Sequence, residues 1–225
     1  MRGRADIARS HAPSVNLKEL KKMSELKLYH YWRSSSSWRV RWVFALKNIP
    51  HSLQAVDLLS GESESAEHLI RNPAGFVPVL ELTGEQNPLK KYIRESIAIC
   101  EWANETFPEN SIFPNDPFLR AQTRTLLEIV NAGIQPLQNL PVQYFYSDDL
   151  QKRKSWAHHW IKEGLEVYEK TVASTAGKFS VGDQITLADI FLVPQIYNAQ
   201  RFDVEFKHLN HVAQIYQNAV NTEGY

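Results

Sequence analysis

The sequence predicts an α/β domain followed by an all-α domain, on three observations. From Leu26 to Trp102, segments of alternating apolar residues take turns with segments of helical spacing. The stretch 107–117 carries three prolines and few apolar residues, which marks a linker. Beyond it, only helical spacing recurs. The expected organisation is therefore a first domain over 25–107, a linker over 108–117 and a helical domain over 118–225.

The first domain opens with a strand over 26–32, where Leu26-Lys27-Leu28-Tyr29-His30 alternates. Trp38, Val43, Phe44 and Leu46 then have helical spacing and predict a helix over about 37–48. A strand over about 52–58 and a helix over about 63–72 follow. Pro73 and Gly75 make a turn into a strand over 79–82, which Pro78 begins, where its missing N–H is tolerable. Gly84, Asn87 and Pro88 punctuate a hairpin to a strand over 89–93. Ser96 then opens a helix through Ile97, Ile99, Cys100 and Trp102, giving the order βαβαββα.

In the second domain, helices are expected over about 118–139 and 149–174. A third starts at Thr186, where Thr186 and Asp189 form a capping-box-like pair and Ile185 and Ile190 occupy staple positions. A last helix runs over about 208–220. Residues 1–24 read as a disordered tail or an extension ahead of a start at Met23. Arg2, Arg4 and Arg9 faintly resemble a mitochondrial transit peptide, and Asp6 and Glu19 oppose that reading. The apolar core of a secretory signal is missing.

Lys plus Arg and Asp plus Glu both number 25, which removes the electrostatic case for nucleic acid or an anionic membrane as main partner. No apolar run approaches membrane-spanning length. The single cysteine, Cys100, excludes an intrachain disulfide framework and a CxxC pair. It lies in an apolar helical run and reads as core. One free cysteine fits a reducing compartment, so a cytoplasmic location is expected, or a mitochondrial one if the extension is a transit peptide. His158 and His159 are adjacent, which is poor metal geometry, and no metal is expected. Asn104-Glu105-Thr106 matches a glycosylation sequon but falls in a helix.

The chemistry concentrates in Tyr31-Trp32-Arg33-Ser34-Ser35-Ser36-Ser37-Trp38-Arg39-Val40-Arg41. A strand runs into this loop and the loop into a helix, so one serine can serve as N-cap. The first free N–H groups and the positive end of the helix dipole then face the loop, an arrangement that accepts an anion. A thiolate or carboxylate suits it better than a triphosphate, because no Gly-rich phosphate loop is present. Taken alone, residues 34–37 also read as a polar turn with one capping serine.

The pattern Ser-Ser-x-Ser-Trp-Arg-Val-Arg over 34–41 resembles the signature of the zeta-class glutathione transferases. That signature usually reads Ser-Ser-Cys-Ser-Trp-Arg-Val-Arg, and Ser36 stands where the cysteine is expected. The resemblance extends over roughly 26–220, through Ala132-Gly133-Ile134-Gln135-Pro136-Leu137-Gln138-Asn139-Leu140, Val181-Gly182-Asp183 to Val193-Pro194-Gln195, and Asn198-Ala199-Gln200-Arg201-Phe202. Family members usually continue past the position of Tyr225 with a short Pro-containing tail.

The resemblance implies a thioredoxin-like N-terminal domain, an all-helical C-terminal domain (the glutathione transferase fold), a homodimer, and glutathione as coenzyme. It makes Ser34 the thiolate donor, with Ser35, Ser36 and Arg39 as further catalytic residues and Ser37 and Trp38 among the glutathione contacts. Val77 precedes what is a cis proline in that fold, Pro78, and its backbone would pair with the cysteinyl backbone. Glu95 and Ser96 would hold the γ-glutamyl amine and carboxylate. Gln135 and Asn139, one turn apart on the first helix of the second domain, would close over the site with Leu140 and Pro141. Arg201 would face substrate carboxylates. Each of Ser96, Gln135 and Arg201 alone also reads as a cap or a surface polar residue. The implied activity is cis–trans isomerisation of maleylacetoacetate to fumarylacetoacetate in tyrosine and phenylalanine breakdown. The alternatives are a transferase conjugating or dehalogenating small electrophiles such as α-halo acids, and a non-catalytic interaction module of the same fold.

Overall fold

The computed structural model describes residues 25–84 and 87–222. The expectations for residues 1–24 and for the chain beyond Thr222 lie outside the described residues. Four strands form one mixed sheet in the order β2-β1-β3-β4: β1 Glu25–His30, β2 Ser52–Ala55, β3 Val79–Gly84 and β4 Asn87–Arg94. β1 runs parallel to β2 and antiparallel to β3, and β3 is antiparallel to β4. Between them lie α1 Ser35–Leu46 and α2 Ala66–Arg71, and α3 Ser96–Thr106 follows β4. The helical half comprises α4 Pro117–Asn131, α5 Leu140–Tyr146, α6 Leu150–Val172, α7 Leu187–Arg201 and α8 Asn210–Ala219. This is the thioredoxin-like domain plus all-helical domain that the resemblance implied.

Period-two alternation divides the sheet into two faces. Leu28 sits opposite Leu80, and Leu80 opposite Ile93; this face packs under α1 and α3 with Val40, Phe44, Ile99 and Cys100. Tyr29, Val79 and Tyr92 line the other face, where the Arg71 guanidinium at the end of α2 lies 4.2 Å from the Tyr29 ring. The core runs on without interruption into the helical half, because α7 packs against both α1 and α4. α7 is buried along almost its whole length, so it joins the two halves as a shared wall. Cys100 is fully buried, and burial pushes its thiol far up, as suits a core residue.

The structure corrects several expected boundaries. α1 begins at Ser35 and not at 37, because Ser34 is the cap: its Oγ accepts from the Ser37 N–H at 3.1 Å. The helix expected over 63–72 is a 3-10 turn, Glu62–Glu64, followed by α2; Ser65 interrupts it by capping the His68 N–H at 3.2 Å. Gly75, at φ +68°, makes the turn that leads into β3. The segment over 107–117 is more anchored than a bare linker. Ile112 and Phe113 are buried, Lys47 Nζ donates to the carbonyls of Glu109 and Asn110, and the sequon residue Asn104 accepts from the Ile112 N–H through its carboxamide.

The largest correction falls on the helix expected over 118–139. It ends at Asn131, and residues 132–139 form a chain of turns before α5. Gln135 and Asn139 therefore do not ride on a helix. Long-range bonds hold the turns: Gln138 and Gln195 exchange amide hydrogen bonds of 3.1 and 2.9 Å, and Trp156 Nε1 donates to the Leu137 carbonyl at 2.8 Å.

Candidate active site

The β1–α1 loop, the β3 approach, the start of α3 and the 132–139 turns converge on two adjoining pockets. The first is lined by Ser34, Ser36, Asn72, Phe76, Val77, Pro78, Glu95, Ser96, Asn131, Gln135 and Asn139, with Leu58 at its edge. The second takes Tyr31, Arg33, Ser34, Ser35, Gln138, Leu140, Gln143, Asn198, Arg201 and Phe202, and also touches Leu58, Leu59, Gln135 and Asn139.

Ser34 stands where both pockets meet. Its oxygen accepts from the Ser37 N–H, so its proton is left to donate outward. The Trp38 N–H bonds the Ser34 carbonyl at 2.9 Å. Among the described residues this leaves the N–H groups of Ser35 and Ser36 at the helix start, and the first turn has no acidic side chain. The arrangement offers hydroxyl, N–H and dipole to one anion.

In the first pocket Val77 and Pro78 are joined by a cis peptide. The loop before them is fixed by two donors on the Phe76 carbonyl, His68 Nε2 at 3.1 Å and Asn72 Nδ2 at 2.9 Å. Glu95 precedes α3 with φ +67°, a conformation that costs a non-glycine residue energy and recurs at ligand sites. Its carboxylate makes no capping bond and lines the pocket beside Ser96. Gln135 Nε2 donates to Asn139 Oδ1 at 3.0 Å, which orients both amides across the shared edge.

The second pocket is cationic. Arg201 reaches it from the last turn of α7, held by a 3.3 Å bond to Asn198 Oδ1. Burial lowers its pKa, and the charge of Arg33 lowers it further. Neither arginine has an ion-pair partner among the described residues, so the pocket lacks a negative charge that a ligand can supply.

Four expected residues lie outside both pockets. Ser37 and Arg39 are fully buried on the inward side of α1. Trp38 lines a separate surface hollow with Trp32, Arg33, Arg41 and Tyr197, and Pro141 is absent from either lining. The expectation that Arg39 touches glutathione is corrected by packing: α7 covers that side of α1 and places Phe191 4.0 Å from the guanidinium. Burial pushes the Arg39 pKa down to about 9. Conversely, Arg33, Asn72, Phe76, Asn131, Gln138 and Asn198 line the pockets without having been singled out. Arg33 and Asn198 sat inside the quoted signature segments; Asn131 is one residue ahead of one. Among the described residues no cluster of metal-ligating side chains is present. His158 Nδ1 is 2.9 Å from the Phe202 carbonyl, while His159 packs on Trp160.

Comparison with known proteins bears directly on this geometry. Residues 33–106 match the glutathione S-transferase N-terminal domain, and residues 137–223 match the glutathione S-transferase C-terminal domain. A probable maleylacetoacetate isomerase 2 of Drosophila melanogaster is 42% identical, across 80% of this chain and 77% of its own. The chain belongs to the zeta class of the glutathione S-transferase family. Maleylacetoacetate isomerase from Anaeromyxobacter dehalogenans, crystallised with glutathione in its active site, is 40% identical with a TM-score of 0.82, covering 90% of this chain and 94% of its own. A second crystal structure of that enzyme holds dicarboxyethyl glutathione and citrate in the active site; it is 40% identical with a TM-score of 0.80, covering 89% and 92%. This zeta-class chain is an enzyme, and the two pockets are its candidate coenzyme and substrate compartments.

Proposed function

We propose that this enzyme isomerises maleylacetoacetate to fumarylacetoacetate with glutathione as coenzyme. The observation that carries the reading is the meeting of two pockets at Ser34, one lined by donors at two helix starts and the other by Arg33 and Arg201. The residues fit glutathione: a hydroxyl proton for the thiolate, the Val77 backbone for the peptide, Ser96 and Glu95 for the γ-glutamyl carboxylate and amine. The relative that holds dicarboxyethyl glutathione and citrate supports a dicarboxylate in the adjoining compartment.

When bound, glutathione supplies a thiolate that adds to the conjugated double bond, lets it rotate as a single bond, and is expelled again. The chain's own work is electrostatic. A free thiol titrates near about 8.5, so only about 3% is ionised at pH 7. A donor hydrogen-bonded to the charged sulfur contributes about 1.5–3 kcal/mol. The terminus of α1 adds about 0.3–1 kcal/mol. Ser34 is thus the larger contribution and the helix the smaller. Arg33 and Arg201 orient the carboxylates so that the double bond faces the sulfur position. Gln135 and Asn139 roof the shared edge and exclude water.

The same compartments suit a transferase acting on α-halo acids, since one carboxylate and one thiolate suffice for displacement of halide. Assembly as a homodimer and a cytoplasmic location belong to this proposal; among the described residues no helix is long and apolar enough to cross a membrane. The deciding experiment is an assay of maleylacetoacetate isomerisation at sub-stoichiometric glutathione, with chloroacetate turnover alongside. Arg201→Ala should raise the KM for the dicarboxylate about tenfold while leaving glutathione affinity alone. Glutathione consumed one-for-one with product would instead establish the transferase reading.

A further inference from the structure

We propose that Arg39 is a positioning residue for the γ-glutamyl carboxylate of glutathione, acting through the Ser96 hydroxyl, with the Asn131 carboxamide held beside it. The inference rests on reading the first pocket as the glutathione site. Arg39 does not line that pocket; it lies directly behind it. One guanidinium nitrogen, Nη1, donates to both Ser96 Oγ and Asn131 Oδ1, each at 3.3 Å. Both acceptors line the first pocket.

The direction of these bonds is what matters. Guanidinium is a donor only, whereas a serine hydroxyl or a carboxamide can present either sign to a ligand. Once Ser96 Oγ spends a lone pair on Arg39, its single proton turns elsewhere, and the open side is the pocket. Asn131 is fixed likewise: its oxygen faces Arg39, and its Nδ2 points away, to Glu128 Oε2 at 3.3 Å. Arg39 therefore leaves Ser96 to donate into the pocket, which suits a carboxylate and rejects a cation, while Arg39 and Glu128 together hold the Asn131 amide in place.

Charge adds a second argument. Arg39 has no ion-pair partner among the described residues, and its Nε and Nη2 are buried without hydrogen-bond partners. The Phe191 ring lies 4.0 Å from the guanidinium, and the charge of Glu128 acts on it from beyond Asn131. A buried cation that no carboxylate touches is costly; burial depresses the Arg39 pKa, and the charge of Glu128 opposes that only in part. A carboxylate seated on Ser96 adds a negative charge one hydroxyl away, on the side of Arg39 that faces the pocket. The α1–α3–α4 junction is then completed by the ligand.

The test compares two probes by calorimetry: S-methylglutathione, and the same peptide lacking only the γ-glutamyl α-carboxylate. Wild type should prefer the first. Arg39→Met should weaken S-methylglutathione about tenfold or more and leave the decarboxylated probe unchanged. Arg39→Lys, which restores charge but not the two-acceptor reach, should recover part of the preference. If a folded Arg39→Met variant loses both probes equally, or neither, Arg39 is a structural pin and the proposal is overturned. Should Arg39→Met not fold, the wild-type Arg39 Nε–H NMR resonance, assigned by its loss in Arg39→Lys, decides the matter. It should shift with S-methylglutathione and not with the decarboxylated probe, and equal shifts refute the role. Ser96→Ala is the control on the site itself. If it leaves the preference intact, the fault lies in the pocket reading and not in Arg39.

Discussion

The starts of α1 and α7 present the same unsatisfied backbone N–H groups and resolve them in opposite ways. At α7 the chain provides its own anion: Asp189 Oδ2 accepts from the Thr186 N–H at 2.7 Å and from its hydroxyl at 2.9 Å, and Oδ1 accepts from the Ser180 N–H at 2.7 Å. That carboxylate is fully buried, and the helix start is closed. At α1 the equivalent third position is Ser37, a neutral side chain that accepts from the Tyr31 N–H. The first turn of α1 holds no acid, and the cap residue opens on two pockets. Both starts are well capped; what separates structure from function is whether the negative charge is built in or left to a ligand.

The largest effect is expected from breaking the closed start. Asp189→Ala should cost about 3 kcal/mol of stability, as a cap and charged hydrogen bonds are lost together. Thermal melting should drop accordingly, while glutathione affinity of the folded fraction stays the same. Breaking the open start should act on the bound thiol first and on stability less. Ser34→Ala should raise the pKa of bound thiol by about one to two units, equal to about 1.5–3 kcal/mol, with a smaller loss of stability, about 0.5–2 kcal/mol, from the lost cap. Ultraviolet titration of the bound thiolate reads this out, and an unchanged pKa would move the role to Ser35 or Ser36.

A carboxylate placed in the open start would sharpen the contrast. Ser36→Asp should stabilise α1 by about 0.3–1 kcal/mol through the dipole and weaken glutathione binding about tenfold, since the anion position is now taken. The smallest effect is expected for Ser36→Cys, which restores the usual family residue. A thiol is a weak donor that ionises near about 8.5, and a hydroxyl is a better donor that does not ionise. On the proposal that activation rests on Ser34 and the helix terminus, isomerase kcat/KM should change by less than about tenfold, or about 1.4 kcal/mol. The cysteine variant should also inactivate faster during turnover of α,β-unsaturated or halogenated substrates. A larger gain would mean that the residue at this position takes part in the chemistry.

Local signals carried much of this into the sequence. The Thr186–Asp189 pair, the serine cap of α1, the Pro78 strand entry and the Ser96 helix start depend on residues a few positions apart, and these were readable. The end of α4 was not. Gly133 alone does not stop a helix; the turns beyond Asn131 are held by Gln195 and Trp156, far away in the chain. Arg39 failed for a related reason. An apolar stripe locates one buried face, but α1 is covered on two sides, by the sheet domain and by α7. A charged residue on the second side therefore goes inward with nothing nearby in sequence to announce it. The role of Asn131 is hidden in the same way, since its partner is 92 positions distant.

Ser34, Leu58, Gln135 and Asn139 belong to both pockets, so the partition between the proposed coenzyme and substrate compartments is a single layer of side chains. A molecule carrying glutathione and a carboxylic acid in one covalent frame would cross that layer without a spacer. Its two halves would then bind as one event, each raising the local concentration of the other by what would otherwise be lost in bringing two molecules together. Inhibitors of this enzyme are accordingly better sought among stable thioether adducts of glutathione with unsaturated diacids than among analogues of either half. Adaptation to a new electrophile faces the same geometry, because exchanging Gln135 or Asn139 to reshape the acid compartment also alters the grip on the coenzyme.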